Sequence, residues 1–319
     1  PGRLMQLVHT LQQLPALRVL KVAPYLDTDL LLPNRPSGVL NFPELLSFTT
    51  DIALEALPPL QAPQLEYLEG LSSLSILEEL MHGCPRLRTL KKYSIDDDLP
   101  DHPPPADQDT AHHLSQAIRG DASSSHVKSS WATTLKVFRV THLLSALPLV
   151  RAIGDCWKAL TCLSLRVPAN SPPTVARFLI EALPQLNTLD ILRGAANLDD
   201  QQPVFDFAPS PSVVRPALTH MTLGLLAYDS VLTGLSLPRL SSLKLADVVF
   251  NILDLRSLLQ IAPALVSLQL QHSSLGGSTD APHQFSSITS LACNDCDIDA
   301  AGLLFLLRAL PQLATLCME

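Results

Sequence analysis

Residues Leu255–Leu270 read LRSLLQIAPALVSLQL, and two periodicities meet inside them. Up to Ala262 the apolar residues Leu255, Leu258, Leu259 and Ala262 recur at steps of three and four, which puts them on one face of a helix. Pro263 ends that helix, because it lacks an N–H and pushes its predecessor out of the helical region. From Leu265 the spacing changes to Leu-x-x-Leu-x-Leu, the alternation of a short strand.

The strand half of this unit recurs along nearly the whole chain. Clear copies are LRVLKV from Leu17, LTCLSL from Leu160, LNTLDI from Leu186, LTHMTL from Leu218 and LSSLKL from Leu240, besides LVSLQL from Leu265. Weaker copies begin at Leu45, Leu65, Leu87, Leu135, Ile288 and Leu313. The helical half recurs as LVHTLQQLP, LEELMHGCP, ARFLIEALP and LLFLLRALP, each closing on proline. Most copies start about 20 to 29 residues apart, the spacing of one strand-loop-helix unit. The two long separations hold an acidic, Pro-rich insertion at 94–130, expected to be disordered, and a Pro-rich loop at 200–216. A short helix is expected at Ala111 to Ile118 inside the insertion. A lone unit has too few apolar residues to offset the cost of ordering its backbone, so successive units must bury each other's flanks. The expected fold is therefore α/β: one solenoid over 1–319, about twelve irregular repeats bent into a horseshoe, parallel strands on the concave face and helices on the convex face.

The segment ITSLACNDCDIDAAGLLFLLRALPQLATL, Ile288 to Leu316, resembles the leucine-rich repeats of ribonuclease-inhibitor-like and F-box proteins. Cys296 stands at the Asn/Cys position of that pattern, Asp299 to Gly302 match its turn into the helix, and Leu310-Pro311-Gln312-Leu313 match its return to the next strand. The irregular, Pro-interrupted array as a whole is similar to the repeat region of fungal F-box proteins. Most copies depart from the pattern at the Asn/Cys position, where Tyr25, Leu143, Pro168, Gly194 and Val248 stand instead. The resemblance implies the substrate-binding region of an F-box-type ubiquitin ligase receptor, with a Skp-type adaptor recruited by an upstream segment. A scaffold or innate-immune-type sensor and a leucine-rich GTPase-activating protein are the alternatives it leaves open. Because the chain opens at Pro1 rather than Met, a longer native protein is expected.

If Leu-x-x-Leu-x-Leu marks a strand, the residue between its last two apolar positions faces away from the core. That row reads Lys21, Thr49, Glu69, Lys91, Arg139, Ser164, Asp190, Thr222, Lys244, Gln269, Ala292 and Cys317, mostly polar. A solvated sheet face explains any one of these residues, while a protein partner on the concave wall explains the row. Lys91, Arg139 and Arg166, with Arg193 just beyond its strand, fall in four successive copies and form an expected basic stripe for an acidic or phosphorylated segment. Docking of the chain's own acidic insertion is a rival use of the same cations.

The remaining composition argues against other classes. The formal net charge is −8, of which residues 93–130 carry −5 through seven Asp against Arg119 and Lys128. Such a balance disfavours nucleic acid and anionic membrane as partners. Six scattered cysteines read as reduced thiols, and with no apolar run long enough to span a bilayer the expected compartment is cytoplasmic or nuclear. Cys293-x-x-Cys296 lacks a second pair and His112-His113 are adjacent, so no metal is expected. No nucleophile motif or phosphate loop is present, so neither cofactor nor enzymatic activity is expected. Trp131 and Trp157 are expected to cover the core.

Overall fold

A computed structural model describes residues 10, 13–14, 16–22, 38–50, 54, 57–71, 76–93, 115–119, 131–143, 147–167, 174–193, 213–224, 231–246, 249–276, 285–298 and 300–318. The chain is α/β around a twelve-stranded parallel sheet whose strand order is the chain order. The strands are β1 (Val19–Val22), β2 (Ser47–Thr50), β3 (Tyr67–Leu71), β4 (Thr89–Tyr93), β5 (Val137–Leu143), β6 (Cys162–Val167), β7 (Thr188–Arg193), β8 (His220–Gly224), β9 (Ser242–Ala246), β10 (Ser267–Gln271), β11 (Ser290–Asn294) and β12 (Thr315–Met318). Each begins two residues after the first apolar residue of one sequence copy, from Leu17 and Val19 to Leu313 and Thr315. All twelve copies, strong and weak, therefore make a strand.

The proline that precedes nine of the twelve copies, all but those at Leu135, Leu160 and Ile288, does more than end a helix. It occupies the second position of a β-turn, where its fixed φ is already correct. In Cys84-Pro85-Arg86-Leu87 the Leu87 amide donates to the Cys84 carbonyl at 3.2 Å, and the same bond closes Ala62–Leu65 (2.9 Å), Leu183–Leu186 (3.2 Å), Ala262–Leu265 (3.1 Å) and Leu310–Leu313 (3.1 Å). The turn delivers the first leucine into the core. The two residues after it then donate both amides to one carbonyl of the preceding copy. Arg88 and Thr89 donate to Glu66 at 2.9 and 3.0 Å, and Val266 and Ser267 to Ser241 at 2.9 Å each.

Apolar positions of each copy are buried as the pattern demands, for instance Leu163, Leu165, Leu243, Leu245, Leu268 and Leu270. In β12, which has a sheet neighbour on one side only among the described residues, Leu316 and Met318 are exposed. Mutual burial by flanking copies is thus what hides the leucines. Two weak copies explain each other. The last pattern positions of LLSFTT and LEYLEG are Thr50 and Gly70, which are register partners. A Cβ on Gly70 would stand 3.0 Å from both the Thr50 methyl and the Thr50 carbonyl oxygen, so the missing side chain makes room for the buried threonine.

The helices are α1 (Leu77–Gly83), α2 (Trp131–Thr134), α3 (Leu147–Cys156), α4 (Thr174–Ala182), α5 (Ile252–Ile261) and α6 (Ala300–Ala309); α1, α4, α5 and α6 lie on the Pro-terminated apolar runs, whereas α2 and α3 stand before Leu135 and Leu160, where the sequence has no such run. The run at 7–15 falls almost wholly outside the described residues. The expected strand-loop-helix unit is not universal, however. Ahead of β2, β3, β8 and β9 the chain instead forms two-residue strands, with Leu40–Asn41 pairing Leu60–Gln61 and Val213–Val214 pairing Leu235–Ser236. The cause is local: Gly38 at φ 118°, Gly234 at φ 73°, Pro58-Pro59 and Val213-Val214 stand where other copies have straight-chain helix formers. A further parallel ladder joins Val249–Asn251, Ser274–Gly276 and Asp297–Ile298 after their main strands.

The chain groups into two compact bodies, Pro1–Leu165 and Arg166–Glu319. In the first, Trp131 and Trp157 are buried as expected, their ring centroids 6.1 Å apart, with Phe138 edge-on to Trp157 at 5.1 Å. The Trp131 indole N–H donates to the Cys84 carbonyl at 2.9 Å. In the second, Arg215 caps α4: its Nε donates to the Ile180 carbonyl at 2.6 Å and its terminal nitrogen to the Glu181 carbonyl. Arg177 on α4 is ion-paired with Glu181 at 2.8 Å and donates to the Thr233 carbonyl.

Most of the insertion at 94–130 and of the loop at 200–216 lies outside the described residues. Residues 115–119 are helical, with Ser115 and Ile118 buried; the rest of the helix expected at 111–118 is outside them.

Candidate functional site

Period-two alternation fixes which residues of the sheet look away from the core. In the first body the expected polar row is in register across five strands: Lys21, Thr49, Glu69, Lys91 and Arg139 are successive Cα partners. In the second body Asp190, Thr222, Lys244, Gln269, Ala292 and Cys317 are successive partners across six. Ser164 lies half-buried in β6. Arg166 is in the same strand and belongs to the second body. Arg193, expected just past its strand, is the last residue of β7, two residues beyond the last register pair with β8, Ile191 and Leu223.

The two bodies differ in what the row offers. In the second, the residues two places earlier are Thr188, His220, Ser242, Ser267, Ser290 and Thr315, again in register. Across β7 to β12 these two rows are hydroxyl-rich, with one carboxylate, Asp190, and one ammonium, Lys244, while Arg166 adds a guanidinium from β6. Some hydroxyls nearby are committed to the frame: Thr219 Oγ1 donates to the Asn187 carbonyl and Ser241 Oγ to the Thr219 carbonyl, both at 3.1 Å.

The face of the first body is charged. The Lys91 ammonium sits 5.4 Å from the centroid of the Tyr67 ring, a cation–π contact, and the Tyr67 hydroxyl donates to the Glu69 carboxylate. Partial burial and then the Glu69 carboxylate push the Tyr67 phenol above its ordinary pKa, against the pull of Lys91. On the other side of Lys91, Arg139 donates from Nε to the Cys162 sulfur at 3.4 Å. The two in-register cations therefore lean apart, as like charges on directly opposed residues must.

Sequence reasoning passed over Arg88 and Lys136. Both follow the first leucine of their copies, and the Lys136 and Val137 amides donate to the Arg88 carbonyl at 2.8 and 3.0 Å, so they are neighbours too. Their signal was present as basic-x-x-basic at the same offset in adjacent copies, Arg88-Thr-Leu-Lys91 and Lys136-Val-Phe-Arg139.

At the ends of β10 and β11, His272 (φ 47°) and Asp295 (φ 49°) turn the chain at equivalent places. The next residues bond back in the same way, Ser273 Oγ to the Gln271 carbonyl at 2.8 Å and Cys296 Sγ to the Asn294 carbonyl at 3.3 Å. Cys296 thus carries a turn. Burial, with smaller contributions from Cys296 and Cys317, pushes the Cys293 thiol up to about 12. Among the described residues no group of three or more His, Cys, Asp or Glu is placed to hold a metal ion, and no helix is long and apolar enough to cross a membrane.

No protein-family model matches the chain, and no curated protein matches it in sequence.

Proposed function

We propose that the chain is a leucine-rich-repeat recognition module without chemistry of its own, the substrate-binding region of an F-box-type ubiquitin ligase receptor in the cytoplasm or nucleus. What supports the reading is the coincidence of pattern and ladder. One strand per leucine copy, added in chain order, turns the residue between the last two apolar positions into a mostly polar row in each body. Such a row is the concave wall of a solenoid in this reading, with the helices on the convex side. The module contributes proximity: it holds a bound protein within reach of a ligase whose catalytic subunits are other proteins, recruited by a Skp-type adaptor through an upstream segment.

The test is to recover the full-length protein from its own cells by affinity tag and probe for a Skp-type adaptor. Stoichiometric adaptor is the expected result. Its absence under conditions where a known F-box receptor retains it would remove the ubiquitin-ligase part of the reading.

A further inference from the structure

We infer that the β4–β5 pair in the first body is a four-cation seat for an extended acidic segment of a protein partner, formed by Arg88, Lys91, Lys136 and Arg139. This deepens the recognition reading above by naming the partner's chemistry at that face.

Two facts define the seat. Lys91 and Arg139 are Cα partners, and Arg88 and Lys136 are joined by the paired amide bonds to the Arg88 carbonyl. Neighbouring strands stand about 4.8 Å apart and three residues advance about 10 Å along a strand, so the Cα atoms of the two pairs are about 10 Å from each other, with Arg88 and Lys136 just ahead of the strands. The pair on the face is splayed, Lys91 toward the Tyr67 ring on β3 and Arg139 toward Cys162 on β6. Two residues earlier on the same face stand Thr89 and Val137, which are themselves register partners. A carboxylate placed there would lie beside an ammonium and a guanidinium, the two groups that bind it by charge-assisted hydrogen bonds.

Neighbouring carboxylates leave the seat basic. Glu66 lies 3.8 Å from Arg88 with both side chains largely exposed, a pair worth little and easily exchanged for a ligand's carboxylate. Glu69 takes the Tyr67 hydroxyl. Four cations against these two carboxylates give a patch of +2 on a chain of net −8. An acidic partner is repelled by the chain in general and drawn to this place in particular. Nucleic acid fits less well, since its charge runs far beyond the patch into the field of an acidic protein. An extended peptide with a carboxylate at every residue fits, because its advance of about 10 Å per three residues brings anions to both pairs.

The experiment measures anisotropy of a fluorescein-labelled octaglutamate peptide on titration with the whole chain at about 50 and 150 mM salt. Binding that weakens with salt, falls at least tenfold when Arg88, Lys91, Lys136 and Arg139 are all changed to Gln, and is unaltered by Lys244→Gln in the second body is the expected result. Glutamine keeps most of each side-chain stem, and far-ultraviolet circular dichroism verifies the fold of the quadruple variant. Failure of the folded wild type to bind the peptide, equal binding by the quadruple variant, or tighter binding of an eight-nucleotide single-stranded RNA each overturns the inference. Adaptor recovery reports separately: an adaptor present with no peptide binding removes the acidic seat alone, while peptide binding lost with the quartet and no adaptor removes the ligase reading alone.

Discussion

At the scale of single residues, polar groups inside the first body make opposite predictions for two similar side chains. Trp131 and Trp157 are both fully buried, but the Trp131 N–H has the Cys84 carbonyl, while the Trp157 N–H has no acceptor among the described residues. Trp131→Phe should therefore cost about 1 kcal/mol more than Trp157→Phe in urea unfolding, because only the first substitution removes a hydrogen bond. Equal losses would show that the two indoles stand in similar surroundings. Gly83 is a second such point. A Cβ there would come within 1.9 Å of the Leu60 carbonyl oxygen, and the Gly83 carbonyl itself receives the Ala62 amide at 2.9 Å. Gly83→Ala should destabilise by at least about 2 kcal/mol. Buried thiols make a third. Burial pushes Cys84 and Cys293 up to about 12 from an ordinary 9.0. Folded thiols then keep a proton that unfolded ones release, so stability is full below about pH 9 and declines as pH rises toward about 12. Cys84→Ala should flatten the decline, and both thiols should resist iodoacetamide at pH 8 while the chain is folded.

At the scale of elements, all twelve strands were legible because the leucine spacing is local: each copy carries its own apolar-x-x-apolar-x-apolar pattern, the weakest with Thr50 or Gly70 at its last position. Helices were legible by the same token where the runs are rich in Leu and Ala. The short paired strands were not, since the local glycines and prolines only disfavour a helix, and Leu40–Asn41 and Val213–Val214 become strands by pairing with partners 20 or more residues away. Arg215 was equally invisible. It reads as a surface residue before Pro216, yet it closes α4 through carbonyls at 180 and 181. Arg215→Ala should cost about 1.5 to 3 kcal/mol and speed amide exchange at Leu183, next to the end of α4. Unchanged exchange there would mean that water caps the helix as well as the guanidinium does. The candidate face was half legible. Alternation named Lys91 and Arg139, but Arg88 and Lys136 sit before the strand proper, where side-chain direction depends on the turn rather than on the period of two.

At the scale of the molecule, charge and shape of side chains separate two kinds of surface. The acidic character is concentrated in sequence between 93 and 130, while the sheet of the first body carries cations and the sheet of the second carries hydroxyls. Both surfaces consist of regular rows repeated at one strand spacing. Recognition of an extended protein segment uses such rows directly, by matching charges and hydrogen-bonding groups along a line.

The most direct test of that use is site-specific photo-crosslinking in living cells. A benzophenone amino acid placed in turn at Thr89, Thr222 and Gln269 on the outward rows, and at Glu78 and Arg308 on the helices, reports which surface holds the partner. Crosslinks to one common protein from the sheet positions, with none from the helices, are expected if the polar rows are the binding wall. Crosslinks from Glu78 or Arg308 with none from the sheet would contradict it.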